Sequence, residues 1–173
     1  MYMKRILLLF LLSLTLVMCK PKQIVTESKE HTSEKPVEKP ADKVFYTENV
    51  RNDFRAVSEN TQYQFLEAYK ATEKQYSILF FTQGFTGEEI TVKNDDGTLF
   101  KGSVLTDKST GLAKNMRILN TEITSIYDKA TRKTIYINPE KARKHKFVYV
   151  MKGDLNDDKP YKITFSDKLR PER

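Results

Sequence analysis

Tyr-Ser-Ile-Leu-Phe-Phe-Thr, residues 76 to 82, is the stretch of this 173-residue chain that decides its fold. It is a dense run of apolar and aromatic side chains of strand length, without the alternation of a half-buried strand. A strand of that composition is buried on both of its faces. The run therefore predicts a central strand in a sheet that is covered on both sides.

Alternating strand patterns and turn residues follow this run. Ile90 and Val92 point to one face of a strand over residues 89–93, residues 94–97 (Asn-Asp-Asp-Gly) tolerate positive φ, and residues 98–105 return as the partner strand. Many short strands joined by turns predict a mainly β fold, an antiparallel β-sandwich, with a small closed barrel as the alternative. Further strands are predicted at residues 44–46, 115–119, 123–127, 134–137 and 147–151, and after Pro160.

One helix is predicted near the start of the folded part. Tyr63, Leu66 and Tyr69 recur at helical spacing, and Asn60 or Thr61 is placed to cap the first turn. The pattern indicates a helix that runs to about Lys74. Its aromatic stripe is typical of core packing rather than of a ligand platform.

The N-terminus carries the pattern of an export signal. Lys4 and Arg5 precede an apolar run over residues 6–18, which is too short to cross a bilayer as a helix, since a span needs about 20 residues. Cys19, the only cysteine of the chain, follows directly. The alternatives are a signal cut by the ordinary signal peptidase and a short uncleaved anchor.

The end of this signal, Leu-Val-Met-Cys at residues 16–19, resembles the lipobox of bacterial lipoproteins. Met18 departs from that pattern, which has a small residue before the cysteine. The resemblance implies cleavage before Cys19, a fatty-acid anchor on Cys19 and a place at a bacterial envelope membrane, with the outer membrane expected. It covers only the first 20 residues and implies nothing about the folded domain.

The resemblance and the composition together divide the chain into three parts: a signal peptide (1–18), a cysteine that the resemblance implies is lipidated, with a disordered tether (19–43), and one globular domain (44–173). Residues 20–43 have no aromatic side chain and are rich in Lys, Glu, Pro, Ser and Thr, so they cannot bury enough apolar surface to fold. With Cys19 lipidated, no thiol is left for a disulfide or a zinc site. The sequence predicts neither a metal site nor a cofactor.

The net charge of +7 favours anionic partners, and the basic excess lies beyond residue 100. The basic loop predicted at residues 141–146 is the one candidate for a polyanion site, for an anionic glycan or lipopolysaccharide, and a solvated loop between two strands is the favoured alternative. Nucleic acid is not expected for an exported protein. The candidate contacts are Lys141, Arg143, Lys144 and Lys146.

The leading hypothesis for function is a non-enzymatic, lipid-anchored binding or accessory module. Asp154, Asn156 and Asp158 alternate like calcium ligands, but the glycine and the closing Glu of a calcium loop are missing, so a turn is the better interpretation. Two alternatives remain: a glycan-acting enzyme with paired carboxylates, and an inhibitor or immunity-type lipoprotein that blocks a secreted enzyme.

Overall fold

The computed structural model describes residues 43–171, which form nine strands and two helices. The predicted signal peptide, Cys19 and almost all of the predicted tether lie outside the described residues. Among the described helices, neither is long and apolar enough to cross a membrane. In chain order the elements are β1 (Tyr46–Val50), α1 (Glu59–Ala68), β2 (Tyr76–Phe81), β3 (Thr86–Asn94), β4 (Gly97–Leu105), β5 (Lys114–Leu119), β6 (Thr124–Asp128), β7 (Lys133–Ile137), α2 (Pro139–Lys144), β8 (Phe147–Lys152) and β9 (Tyr161–Ser166).

Two sheets pack face to face, which confirms the predicted mainly β sandwich. The five-stranded sheet has the order β1-β9-β8-β2-β5, and the four-stranded sheet has the order β4-β3-β6-β7. Within residues 43–171 the sheets do not close into a barrel, so the alternative architecture is wrong. The five-stranded sheet is mixed rather than purely antiparallel, because β1 pairs with β9 and β2 pairs with β8 in parallel.

The central strand β2 is buried on both faces, as its composition predicts. Leu79 and Phe81 point into the core between the two sheets, whereas Ile78 and Phe80 point into a second core on the opposite face. That second core is covered by α1 and by the segments around Phe54 and Leu169. The five-stranded sheet is therefore the middle layer of three. Its inner face packs on the four-stranded sheet, and its outer face is covered by the helix and these two segments.

The predicted hairpin is confirmed as β3 and β4. Asn94 and Gly97 are register partners, and the side-chain oxygen of Asn94 accepts a hydrogen bond from the Gly97 backbone N–H at 3.1 Å. Gly97 has φ of 138°, a conformation that side chains with a Cβ rarely adopt. The turn chemistry thus sets the register that places Ile90 and Val92 in the core.

Helix α1 begins and ends earlier than the sequence predicts. Ser58 is the N-cap, and its hydroxyl accepts the Thr61 N–H at 3.2 Å. The helix ends at Ala68 rather than near Lys74, because Lys70 adopts φ of 51° and the Ala71 N–H returns to the carbonyl of Leu66 at 2.8 Å. This is the Schellman arrangement, here with a lysine where glycine is usual.

The basic segment predicted as a loop contains a second helix, α2. The Asn138 side chain accepts the N–H groups of Glu140 and Lys141 at 2.8 and 3.3 Å, and Pro139 occupies the first turn. Asn138 directly follows β7, and with Pro139 in the first turn it caps the helix that begins there. The prediction of a single helix is therefore wrong.

Candidate functional site

A groove opens on the outer face of the five-stranded sheet, beside α1. Its volume is about 510 Å³, which lies in the range of roughly 300–1,000 Å³ that is typical of small-molecule sites. Its floor comes from alternate residues of β2, β8 and β9. We call it the outer groove; its lining residues are Arg51, Val57, Thr61, Phe65, Phe80, Thr82, Gln83, Thr110, Gly111, Leu112, Tyr149, Met151, Lys162, Thr164, Leu169, Arg170 and Pro171.

The floor of the outer groove is built by the register of three strands. Phe80 in β2 lies opposite Tyr149 in β8, which lies opposite Thr164 in β9. The rings of Phe80 and Tyr149 are stacked with centroids 4.9 Å apart, and Phe65 of α1 stacks on Phe80 at 5.8 Å. Because side chains on one face of a strand alternate, Met151 continues the same floor. The result is a largely apolar and aromatic surface.

Arg170 lies at the wall of the groove between two aromatic rings. Its guanidinium carbon is 4.4 Å from the ring centre of Phe54 and 4.2 Å from that of Tyr149. The Tyr149 hydroxyl accepts the Arg170 backbone N–H at 3.0 Å and donates to the Lys168 carbonyl at 3.0 Å. Within the described part of the chain, the buried Nε of Arg170 has no hydrogen-bond partner.

Burial lowers the pKa of the Arg170 guanidinium, and the nearby positive charge of Arg51 acts in the same direction. An arginine nevertheless stays protonated in a protein, because its ordinary pKa is above about 12. Burial raises the pKa of Tyr149 to about 12, so this phenol keeps its proton near neutral pH. The wall of the groove therefore carries a fixed positive charge on a rigid aromatic support.

Two further cations line the outer groove. Arg51 forms two hydrogen bonds with Asp53, at 2.9 and 3.1 Å, which compensate part of its charge. Lys162 in β9 has no ion pair among residues 43–171. The lining formed by the described residues includes no Asp, Glu, His or Cys. Groove walls of this kind attract anions, and in the described part of the chain they lack the carboxylates and the histidine that most often transfer protons in catalysis.

A buried charge network lies elsewhere, between the two sheets. Lys152 of β8 donates to Glu88 of β3 at 2.7 Å and to Asp128 of β6 at 2.8 Å. The Tyr161 hydroxyl of β9 donates to the same carboxylate oxygen of Asp128 at 2.6 Å, and it contacts the Thr131 hydroxyl at 2.9 Å. The Lys152 and Asp128 side chains are each 2% exposed. The network therefore joins the five-stranded sheet to the four-stranded sheet.

The pKa shifts in this network show that its groups are held in their charged forms. Burial on its own would raise the pKa of Asp128, but the hydrogen bonds from Lys152 and Tyr161 outweigh it, so the net pKa is lowered. Burial would also raise the pKa of Glu88, but the hydrogen bonds that it accepts from Lys152 and Thr86 outweigh this effect, so the net pKa is lowered. Burial would lower the pKa of Lys152, and its two carboxylate partners raise it instead.

This network does not supply the paired carboxylates that the enzyme hypothesis requires. Glu88 and Asp128 face a common ammonium group rather than an open space, and neither residue lines the outer groove. All four oxygens of the two carboxylates already accept hydrogen bonds: those of Asp128 from Lys152, Tyr161 and two backbone N–H groups, and those of Glu88 from Lys152 and Thr86. The arrangement instead fixes the relative position of the two sheets.

Two of the four cations predicted as a polyanion site are engaged by other groups of the protein. Lys141 forms an ion pair with Glu48, and the Lys146 ammonium donates to backbone carbonyls in the segment after α1, including that of Ala71 at 3.0 Å. Arg143 and Lys144 are exposed on α2. Of the four predicted cations, these two have no ion pair with a described residue. Binding of a polyanion stays a prediction.

Sequence reasoning missed the outer groove and its three cations. The alternation of the last strand places Tyr161, Ile163 and Phe165 on one face, which leaves Lys162 and Thr164 on the other. That alternation does not reveal what covers the second face, because the covering residues come from distant segments. Arg170 carries no local pattern at all.

The acidic turn between β8 and β9 agrees with its interpretation as a turn. The Asp154 carboxylate accepts the backbone and side-chain N–H groups of Asn156, both at 2.9 Å. Among the residues that the structure describes, no group of three or more His, Cys, Asp or Glu side chains is arranged to hold a metal ion. Asp158 faces Lys43 instead, at 3.4 Å.

Comparison of the chain with protein-family models and with curated proteins finds no match. The class of protein is therefore defined by the fold and by the groove: a mainly β sandwich with a cation-lined cavity on the outer face of one sheet.

Proposed function

We propose that the protein is a lipid-anchored, non-enzymatic binding module of a bacterial envelope, and that the outer groove is its binding site. The observation that carries the proposal is the lining of the groove. A cavity of about 510 Å³ with an aromatic floor and three cations has the size and chemistry of a ligand site, and its described lining has no carboxylate, histidine or thiol.

The absence of such groups from the described lining favours binding over catalysis. Hydrolysis of a glycan by the usual route needs one carboxyl group as acid and a second as base or nucleophile, both next to the scissile bond. Tyr149 belongs to the aromatic floor and Arg170 lies on its ring, and both hold their protons firmly near neutral pH. They are suited to orient a ligand rather than to transfer a proton.

The N-terminal pattern supports the anchored location. The lipobox-like end of the apolar run implies a lipid on Cys19, and the tether that the composition predicts over residues 20–43 would span on the order of 25 Å r.m.s. as a coil. Under this proposal the groove takes up a ligand at the envelope and holds it close to a membrane surface.

The experiment is native mass spectrometry of the protein after incubation with a total envelope extract. We expect a bound small molecule that is released with unchanged mass. Met151→Trp, which fills the floor of the groove, should abolish the adduct. Leu99→Trp, a matched change at a position 41% exposed on the other sheet, should retain it. A converted product, or equal adducts with both variants, would refute the proposal.

A further inference from the structure

We infer that the outer groove selects a small amphipathic anion: an apolar body that carries one carboxylate or phosphate group. This inference rests on the proposed function and adds the chemical class of the ligand. Three observations support it: the apolar floor, the position of two of the cations toward one edge of the sheet, and the unused hydrogen-bond donors of Arg170.

The apolar part of the groove lies toward β2 and α1. Phe65 and Phe80 are stacked there, and Val57, Leu112 and Leu169 complete the wall. All five belong to the second core of the molecule, where the outer face of the sheet is covered by side chains from distant segments. Burial of an apolar chain against such a surface removes apolar area from water, which is favourable.

Two of the cations lie toward the β1–β9 edge of the sheet. Lys162 belongs to β9, and Arg51 directly follows β1, with its backbone N–H bonded to the Phe165 carbonyl of β9 at 3.0 Å. Arg170 follows β9 in the chain, but its guanidinium lies on the ring of Tyr149 in β8. The strand order β1-β9-β8-β2-β5 places β8 between β9 and β2. Arg170 therefore lies between the apolar part of the groove near β2 and the other two cations near β9.

Arg170 is the expected contact of the anionic group. Two aromatic rings hold its guanidinium, and its side chain donates no hydrogen bond to another described residue. A planar guanidinium matches the oxygens of a carboxylate or a phosphate in a two-point arrangement. Because the rings already restrict the side chain, little further conformational entropy is lost when the anion binds.

Charge complementarity argues against a neutral or cationic occupant. Asp53 is hydrogen-bonded to Arg51 and attracts the Arg170 guanidinium at longer range, but neither Arg170 nor Lys162 forms an ion pair within residues 43–171. An uncharged apolar ligand would cover these cations without replacing the water that solvates them, which is unfavourable. An anion at the same place replaces that water with charge-assisted hydrogen bonds.

The test is titration calorimetry on the full mature-length chain, residues 19–173, with Cys19 unmodified. The probes are decanoate and decyltrimethylammonium, which share an apolar chain and differ in charge, and acetate and inorganic phosphate, which lack the chain. We expect decanoate to bind at least about tenfold more tightly than any of the other three, because it alone satisfies both parts of the groove.

Three variants locate the interaction. Arg170→Gln should weaken decanoate binding by about tenfold or more. Lys162→Gln is the second test, because the side chain of this half-buried lysine makes no hydrogen bond or ion pair with another described residue, so its replacement should leave the fold intact. Arg143→Gln removes one positive charge from α2, outside the groove, and should leave the affinity unchanged. Thermal unfolding of each variant verifies that it is folded.

Several outcomes would overturn the inference. Equal affinity for the two decyl probes would mean that the groove does not select charge, and phosphate binding as tight as decanoate would mean a free-anion site. Tighter binding of an oligoglutamate peptide would assign the groove to an acidic protein segment. If neither decyl probe binds while an envelope extract still yields an adduct, the ligand class is wrong and the proposed function stands.

Discussion

Lys152 concentrates the buried polar interactions between the two sheets in one side chain. Its ammonium group is the common donor to Glu88 and Asp128, and Asp128 also accepts from Tyr161. Such buried ion pairs contribute little net stability compared with apolar packing, yet removal of one partner is costly because an uncompensated charge remains. The network therefore specifies how the sheets are aligned more than how stable they are.

Asp128→Asn should lower the free energy of unfolding by about 3 kcal/mol or more at pH 7, since Lys152 loses a charged partner. The folded-state pKa of Asp128 is lowered, so its contribution is complete above the unfolded pKa of about 3.9 and is lost as the pH falls through the lower folded value. The gap between wild type and variant should therefore narrow at about pH 3. Urea unfolding at both pH values measures it.

The control for this prediction is Asp157→Asn in the exposed turn between β8 and β9. Its effect on unfolding should be small at both pH values, because exposed substitutions away from special contacts usually change stability by less than about 0.5 kcal/mol. If the difference in unfolding free energy between wild type and Asp128→Asn stays constant between pH 7 and pH 3, folding does not lower the pKa of Asp128.

Gly84 precedes β3 in a conformation that only glycine tolerates well, with φ of 89°, and a Cβ at this position would lie 1.8 Å from the Lys152 carbonyl oxygen. Gly84→Ala should destabilise the protein by about 3 kcal/mol or more, since strain and backbone displacement add. Gly97→Ala is the matched control: φ is 138°, and a Cβ meets nothing within 4 Å. Its cost should be limited to about 1–2 kcal/mol. If urea unfolding shows that both variants lose the same free energy of unfolding, the close approach of the Lys152 carbonyl to Gly84 does not determine the cost.

At the scale of single elements, the strands were predictable and the helices were less so. The composition of β2 and the alternation of β3 and β4 are local properties, so strand positions and the hairpin follow from the sequence. The parallel pairings of β1 with β9 and of β2 with β8 join segments far apart in the chain, where no local pattern specifies direction. The outer groove depends on the same long-range contacts, which explains why its residues were missed.

The short helix α2 changes the prediction for polyanion binding. Lys141 and Lys146 are engaged by Glu48 and by backbone carbonyls, so Arg143 and Lys144 are expected to provide most of the free charge. Changing both to Gln should remove most binding to heparin or lipopolysaccharide while the fold stays intact. The affinity should fall as salt rises, since exposed charges are screened beyond roughly 8 Å at physiological ionic strength.

Lys108→Gln with Lys159→Gln is the matched control, because both lysines are exposed in turns away from α2. Affinity columns at several salt concentrations compare the two double variants. A loss of equal size in the control would mean that the net charge of +7, rather than α2, determines retention.

At the scale of the whole molecule, the proposed function needs two parts of the chain: a lipid anchor on Cys19 and a binding groove in the folded domain. Cys19→Ser should abolish labelling by a fatty-acid probe and leave an uncut precursor, because the cysteine thiol is the group that the lipobox pattern modifies. Met18→Ala is the companion change and should speed processing, since it restores the small residue of that pattern. Metabolic labelling followed by electrophoresis measures both. Unchanged labelling of Cys19→Ser would refute the lipid anchor.

The central claim, that the outer groove binds a small ligand at the envelope, is tested most directly by photo-crosslinking in living cells. A benzoylphenylalanine residue replaces Thr110, which lines the groove, or Leu105, which is 63% exposed outside it. After irradiation, the mass of the purified protein is measured. We expect one small-molecule adduct when the crosslinker is at Thr110 and none when it is at Leu105. No adduct at Thr110, the same adduct at both positions, or a protein attached at Thr110 would contradict it.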